Sequence, residues 1–278
     1  MQIRAKKSLG QHFLNSKKVL NDIISAANIQ KNETVLEIGP GTGMLTRELL
    51  NAGAKIVAVE KDIRSCDLLK EKFAKEISNG RLTLIHEDIL KFDAHTLDSR
   101  FRGNDKRYGN DMQKSYAIIA NIPYYITGAI LEKFLENEPR PNRMVLLTQK
   151  EVAERIVAKD GKESILSISV KAFGNPRIIA KVPRGAFTPP PTVDSAILAI
   201  DDISNSNFVE NKVEISRFFG IVRAGFAHKR KFLIRNLGGM ADLNKIKAIW
   251  DILYFNEKVR AEDLTLEQWF ALSTKIST

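Results

Sequence analysis

The chain has 278 residues, 44% of them apolar and 27% charged, which suits one large domain or a large and a small one and excludes disorder as its general state. No apolar run is long enough to cross a bilayer, and the start, MQIRAKKSLGQHF, is not followed by the apolar core of a signal peptide. A single cysteine, Cys66, excludes an internal disulfide framework, argues against a cysteine-based metal site, and points to a reducing cytoplasm. The net charge of +10 is unevenly placed. Residues 1–21 hold five Lys or Arg and no acid, and residues 215–241 hold six, again with no acid. Patches of one sign attract a phosphate backbone, whereas an ordinary solvated surface mixes both signs.

In chain order, short apolar runs alternate with helical patterns. TVLEIG (34–39), KIVAVE (55–60), LTLIHED (82–88), YAIIAN (116–121) and RMVLLTQ (143–149) are nearly continuous in Val, Ile and Leu, as in strands covered on both faces. The stretches between them suit helices, for example GMLTRELLNAG with its glycine stop. That alternation predicts a parallel sheet with helices on both sides. PRIIAKV (176–182) and SAILAI (195–200) flank the Pro-rich FTPPPTVD and read as a late antiparallel pair. Residues 98–115, DSRFRGNDKRYGNDMQKS, read as an exposed insertion. After the polar DDISNSNFVEN (201–211) only amphipathic helical patterns remain, including a long one over 215–237. The expected boundaries are an α/β domain at 1–203 and a small all-helical domain at 204–278.

Chemistry gathers at the ends of the strands. Gly39, Gly41 and Gly43 stand between the first run and a helix, where glycine lets backbone approach a ligand. The spacing is G-x-G-x-G and Pro40 removes a donor, which fits poorly with a pyrophosphate held on backbone N–H groups. Glu60 ends the second run and can accept from both ribose hydroxyls; Asp88 ends the third and can accept from an adenine amine. The series points to S-adenosylmethionine, with NAD as the alternative.

The fourth run ends in NIPYYIT. A turn with Asn and Pro is the plain reading, yet ligands of open α/β sheets bind beyond the carboxyl ends of strands. Asn121 and Tyr124 would then stand beside a methyl donor. The exocyclic amine of a purine is a poor nucleophile because its lone pair is delocalised. The Asn121 carbonyl and a neighbouring backbone carbonyl can accept both amino hydrogens and favour a tetrahedral nitrogen. Pro123 stiffens the turn, and Tyr124 offers a ring to a flipped-out base. Positioning supplies most of the rate, without a strong general base. Tyr125 has no role in this scheme and is expected to pack.

Taken together, KKSLGQHFLN, E-x-G-x-G-x-G, NIPYYIT, GAFTPPPTVDSA and FAHKRKFLIRNL resemble the ribosomal RNA adenine dimethyltransferases. The resemblance spans nearly the whole chain and is nearest to the enzymes that dimethylate two adjacent adenines near the 3′ end of 16S rRNA. It implies a class I, Rossmann-like methyltransferase sheet with a helical C-terminal domain, two S-adenosylmethionine molecules consumed per adenine, and no metal. It further implies that Gln11, the backbone at His12 (usually Asn in the family) and Leu14 border the cofactor, that Gly39 and Gly41 underlie it, that Glu60 takes the ribose and Asp88 the adenine. Asn121 receives the target amine beside the cofactor, with Pro123 and Tyr124, and Phe187 forms a second aromatic wall. Arg223, Lys229, Arg230, Lys231 and Arg235, on or near one helical segment, are expected to contact RNA phosphates. The implied partner is 16S rRNA in an immature small subunit, met by a cytoplasmic monomer with no membrane and no DNA. DNA adenine methylases differ in having two prolines after the Asp or Asn. Two alternatives stand: a 23S rRNA dimethyltransferase of the macrolide-resistance type, and a mainly non-catalytic assembly factor.

Overall fold

A computed structural model describes residues 5–6, 10–97, 116–240 and 242–277; the expected insertion at 98–115 lies outside them. Contacts divide the chain into two compact units, residues 1–153 with 177–203, and residues 154–176 with 204–278. The stretch 154–176, assigned to the first domain on sequence, thus clusters with the C-terminal helices. The physical reason is Phe173, which packs on Phe208 and Phe219 with ring centroids 4.9 and 5.9 Å apart.

In the first unit every predicted apolar run forms a strand. The short β1 (Phe13–Leu14) comes first, then β2 (Thr34–Ile38), β3 (Lys55–Glu60), β4 (Leu82–His86), β5 (Tyr116–Asn121), β6 (Arg143–Gln149), β7 (Asn175–Val182), β8 (Phe187–Thr188) and β9 (Ser195–Asp201). Seven of them make one sheet in the order β4-β3-β2-β5-β6-β9-β7. The pairs β2–β3, β3–β4, β2–β5 and β5–β6 are parallel and β6–β9 is antiparallel. Val35, Leu36, Ile56, Val57, Ile118, Ile119, Val145 and Leu146 are fully buried, so helices must cover both faces, which is why these strands lack polar alternation. Strand order reverses direction between β2 and β5, and their carboxyl ends open a crevice at that switch point.

Local chemistry sets the helix ends. Ser16 caps the helix Lys17–Ala27 by accepting from the Val19 N–H, and Asn28 ends it in the left-handed conformation. Asp62 caps Ile63–Lys72 by accepting from Arg64 N–H. Gly43, at φ +76°, opens the helix Met44–Asn51; a Cβ there would lie 2.5 Å from the Phe73 ring, so no other residue fits.

A second, two-stranded ladder pairs β1 with β8, Phe13 opposite Thr188 and Leu14 opposite Phe187. It draws the N-terminal segment and the Pro-rich turn together, and no pattern in the sequence signals it.

In the second unit, the segment from residue 204 onward holds helices at Ser206–Asn211, Ile215–Gly225, Leu233–Asn236, Leu243–Ile252 and Leu266–Ser277. Their core is aromatic: Phe218 stacks on Phe270 at 4.4 Å, and Phe208 meets Phe218 edge-on at 5.4 Å. Thr265 and Gln268 form a reciprocal cap at the last helix, Thr265 N–H donating to Gln268 Oε1 at 2.9 Å. The helical pattern over 215–237 breaks after Gly225. A Cβ on Gly225 would run into the Trp269 ring and lie 2.8 Å from Leu233, and the Asn236 amide donates to the Gly225 carbonyl at 2.5 Å. The chain folds back there, and Asn236 satisfies a carbonyl that a continuous helix would have bonded internally.

Candidate active site

One cavity opens at the carboxyl ends of β2, β3, β4 and β5. Its lining includes Gln11, His12, Leu14, Gly39, Gly41, Glu60, Asp88, Asn121, Pro123 and Tyr124. Every residue expected to meet the cofactor therefore shares one wall system with three of the four expected at the reaction centre.

The glycine loop leaves β2 with Gly39 at φ +65°, and a Cβ on Gly39 would meet nothing within 4 Å. The backbone thus presents an open cradle toward the cavity. Glu60, at the end of β3, is 5% exposed. Its oxygens accept from the Gly41 N–H at 3.0 Å and the Asp62 N–H at 2.8 Å, which locks the carboxylate in one orientation. Burial pushes its pKa up and these N–H groups pull it back. Asp88 accepts from Lys61 Nζ at 2.8 Å and from the Leu90 N–H at 3.0 Å. Lys61 is the main reason that its carboxyl titrates below the ordinary range.

The N-terminal segment forms another side of the cavity. The Gln11 amide donates to Asp62 Oδ2 at 3.1 Å, and its carbonyl accepts from the Lys6 N–H at 2.8 Å. Arg64 also binds Asp62, at 2.5 Å, and holds that carboxyl down near 2. The His12 ring bonds through Nδ1 to the Pro189 carbonyl at 2.8 Å, so Nδ1 carries the hydrogen. That ring also lies nearly parallel to Tyr124, 6.0 Å between centroids and 18° between planes. Asn15 donates to Thr188 Oγ1 at 2.7 Å and continues the β1–β8 ladder.

Asn121 is the last residue of β5, and its Nδ2 donates to the His12 carbonyl at 3.0 Å. With the nitrogen thus engaged, Oδ1 is the side-chain atom left to accept. Pro123 then leads into a 3-10 turn, Tyr124–Ile126, with the Ile126 N–H donating to the Pro123 carbonyl at 3.2 Å. The Tyr124 hydroxyl meets Ser195 Oγ at 2.5 Å and Thr127 closes the turn by donating to the Tyr124 carbonyl at 3.0 Å. The ring is fixed at both ends.

Phe187 stands apart. It is 2% exposed, packs in the core with Leu14, Val182 and Ile197, and is not among the cavity-lining residues. The β1–β8 pairing turns it inward, so the position expected to wall a base is a core position here. Tyr125 departs the other way: expected to pack, it is 64% exposed and lines the cavity.

Two lining residues were given no role by the sequence, although Glu37 opens the E-x-G-x-G-x-G motif. Glu37, inside β2, is 1% exposed, and neither carboxylate oxygen has a hydrogen-bond partner. Burial, with the neighbouring Glu60 charge, raises its pKa to about 8 against the opposing pull of Thr46. Lys61 bridges to Asp88 across two strands, a pairing visible only once β3 and β4 are adjacent. Among the described residues no group of three or more His, Cys, Asp or Glu could hold a metal ion, and no helix is long and apolar enough to cross a membrane.

In the second unit, Arg223 lies in the last turn of its helix, Lys229 to Lys231 occupy the turn that follows, and Arg235 lies on the next short helix. All five are exposed, and none forms an ion pair among the described residues.

A mainly parallel sheet in this order, with a glycine loop, two strand-end acids and an Asn-x-Pro-Tyr turn on one cavity, defines an S-adenosylmethionine-dependent methyltransferase. The chain belongs to the ribosomal RNA adenine dimethylase family, whose model matches residues 2–277, and with it to the methyltransferases of ribosomal RNA adenines. It is 43% identical over 269 residues to the ribosomal RNA small subunit methyltransferase A of Dehalococcoides mccartyi strain CBDB1, covering 96% of this chain and 87% of that one. The same-named protein of Fusobacterium nucleatum is 38% identical, covering 98% and 97%. Among solved structures, a dimethyladenosine transferase from Plasmodium falciparum aligns with a TM-score of 0.75 and 28% identity, covering 94% and 96%. The 23S rRNA methyltransferase ErmE aligns with a TM-score of 0.72 at 24% identity, covering 96% and 100%, and so shares the fold.

Proposed function

We propose that this chain dimethylates the exocyclic amines of two adjacent adenosines near the 3′ end of small-subunit ribosomal RNA. The observation that carries the reading is the Asn121 amide. Its nitrogen is satisfied by the His12 carbonyl, which leaves Oδ1 to accept a hydrogen from a target amine at the end of β5. The neighbouring Ile122 carbonyl accepts the second hydrogen, and the nitrogen lone pair is thereby aimed rather than delocalised into the ring. Tyr124, fixed by Ser195, offers its face to the flipped base, and Pro123 holds the turn. Orientation of this kind supplies the main rate gain.

The cavity fits the cofactor. Gly39 offers an open cradle, locked Glu60 suits ribose hydroxyls, and ionised Asp88 suits an adenine amine. Gln11, Leu14, Gly41 and the His12 backbone border the same space. Bound there, S-adenosylmethionine supplies a methyl group on a positively charged sulfur. Phe187 serves the site by holding β8 against β1 rather than by touching the base.

Arg223, Lys229, Arg230, Lys231 and Arg235 supply phosphate contacts from the helical unit. The names of the relatives favour the small-subunit rRNA over the 23S alternative. The setting that follows is a cytoplasmic monomer acting on an immature small subunit. Incubating the purified protein with tritiated S-adenosylmethionine and either 16S or 23S rRNA, then mapping the labelled adenines, tests the reading. Adjacent dimethyladenosines in 16S rRNA are expected, and label confined to 23S rRNA would overturn it.

A further inference from the structure

The exposed aromatic ring beside the cavity is unexplained by the chemistry above. Tyr125 is 64% exposed although it follows directly on the fixed Tyr124. Its ring lies over Gly10, where a Cβ would come within 3.2 Å of Cε1. Among the described residues it has no aromatic partner, and its hydroxyl has no hydrogen bond. Folding therefore gains little from a tyrosine here; one exposed apolar side chain is ordinary, but several around one cavity mark a binding surface. Two further exposed apolar residues, Met44 at 36% and Leu90 at 39%, line the same cavity. An open aromatic ring with two exposed apolar neighbours, at the edge of a site that takes a single extruded base, has the composition of a single-strand stacking platform.

We propose that Tyr125 stacks on the nucleotide flanking the target adenosine, and so is a substrate-positioning residue outside the reaction centre. The proposal rests on the reading of the cavity as the adenosine site of small-subunit rRNA. Because the two target adenosines are adjacent in that reading, the ring meets the partner adenosine while one of them is in the cavity and the nucleotide beyond the pair while the other is. Stacking on an aromatic ring is sequence-tolerant, so a contact of the same kind serves both rounds.

The test uses the full-length protein and a 3′-terminal fragment of 16S rRNA in which one of the two adjacent adenosines is 2-aminopurine. Wild type is expected to bind the fragment and quench the fluorophore. Tyr125→Ala is expected to lose the quenching and about tenfold in RNA affinity, with calorimetric affinity for S-adenosylmethionine unchanged. Tyr125→Trp and Tyr125→Phe should restore both RNA readouts, which a merely structural role would not require. Quenching and RNA affinity of Tyr125→Ala equal to wild type would overturn the proposal, as would a loss of cofactor affinity, which would move Tyr125 into the cofactor site. Failure of wild type itself to bind or methylate the unmodified fragment would instead remove the reading on which the proposal rests.

Discussion

Burial, only partly offset by Thr46, makes Glu37 the most telling single residue for pH dependence. Its carboxyl titrates near 8 in the folded chain and near 4.5 when free. Between those values the folded state holds a proton that the unfolded state has lost. Stability therefore falls as pH rises through that window, with a slope approaching about 1.4 kcal/mol per pH unit from this group. Glu37→Gln should remove the slope, so its urea midpoint should gain on wild type between pH 5 and 8. A constant difference across that range would mean that the carboxyl is already ionised. Glu60 lies on the same cavity but is held by two backbone N–H groups; Glu60→Ala should weaken calorimetric binding of S-adenosylmethionine by tenfold or more, at about 1.4 kcal/mol per factor of ten. Residue chemistry was legible in the sequence where a strand end displayed it, as at Glu60, Asp88 and Asn121. At Glu37 the E-x-G-x-G-x-G motif displayed the residue but not its burial, and at Tyr125 exposure depends on how the turn after Pro123 coils.

Elements set by continuous apolar runs could be read directly, because a strand buried on both faces needs an unbroken Val, Ile and Leu stretch. The ladder β1–β8 could not, since two residues on each side carry no periodicity. Yet it decides the fate of Phe187, which faces the core through its pairing with Leu14. Phe187→Ala should cost about 3–5 kcal/mol in denaturant unfolding, as for a large buried ring. Loss of methyl transfer with unfolding stability intact would instead return Phe187 to the base-binding wall. The break after Gly225 was hidden for a related reason: apolar spacing continued through 226–237 while the backbone turned. Gly225→Ala, with its new methyl directed into the Trp269 ring, should lower stability by about 1–3 kcal/mol through overpacking.

For the molecule as a body, net charge bears on partners rather than on fold. Lys229, Arg230 and Lys231 are exposed in one turn, and reversing all three should reduce the salt slope of RNA binding by roughly one for each phosphate no longer neutralised. An unchanged slope would remove that turn from the interface. Division into two units was legible in the change from alternating strands to helices near residue 204. The return of 154–176 to the helical unit was not, because it rests on the packing of Phe173 against residues some thirty to fifty positions further along the chain. The N-terminal segment, β5 and the cavity all meet at the Asn121 amide, whose orientation is set by the His12 carbonyl. The decisive measurement is the rate of adenosine dimethylation by Asn121→Ala on small-subunit rRNA, beside its calorimetric affinity for S-adenosylmethionine. Affinity close to wild type is expected, with a rate lower by about a hundredfold or more. Dimethylation at the wild-type rate would contradict the role given to Asn121.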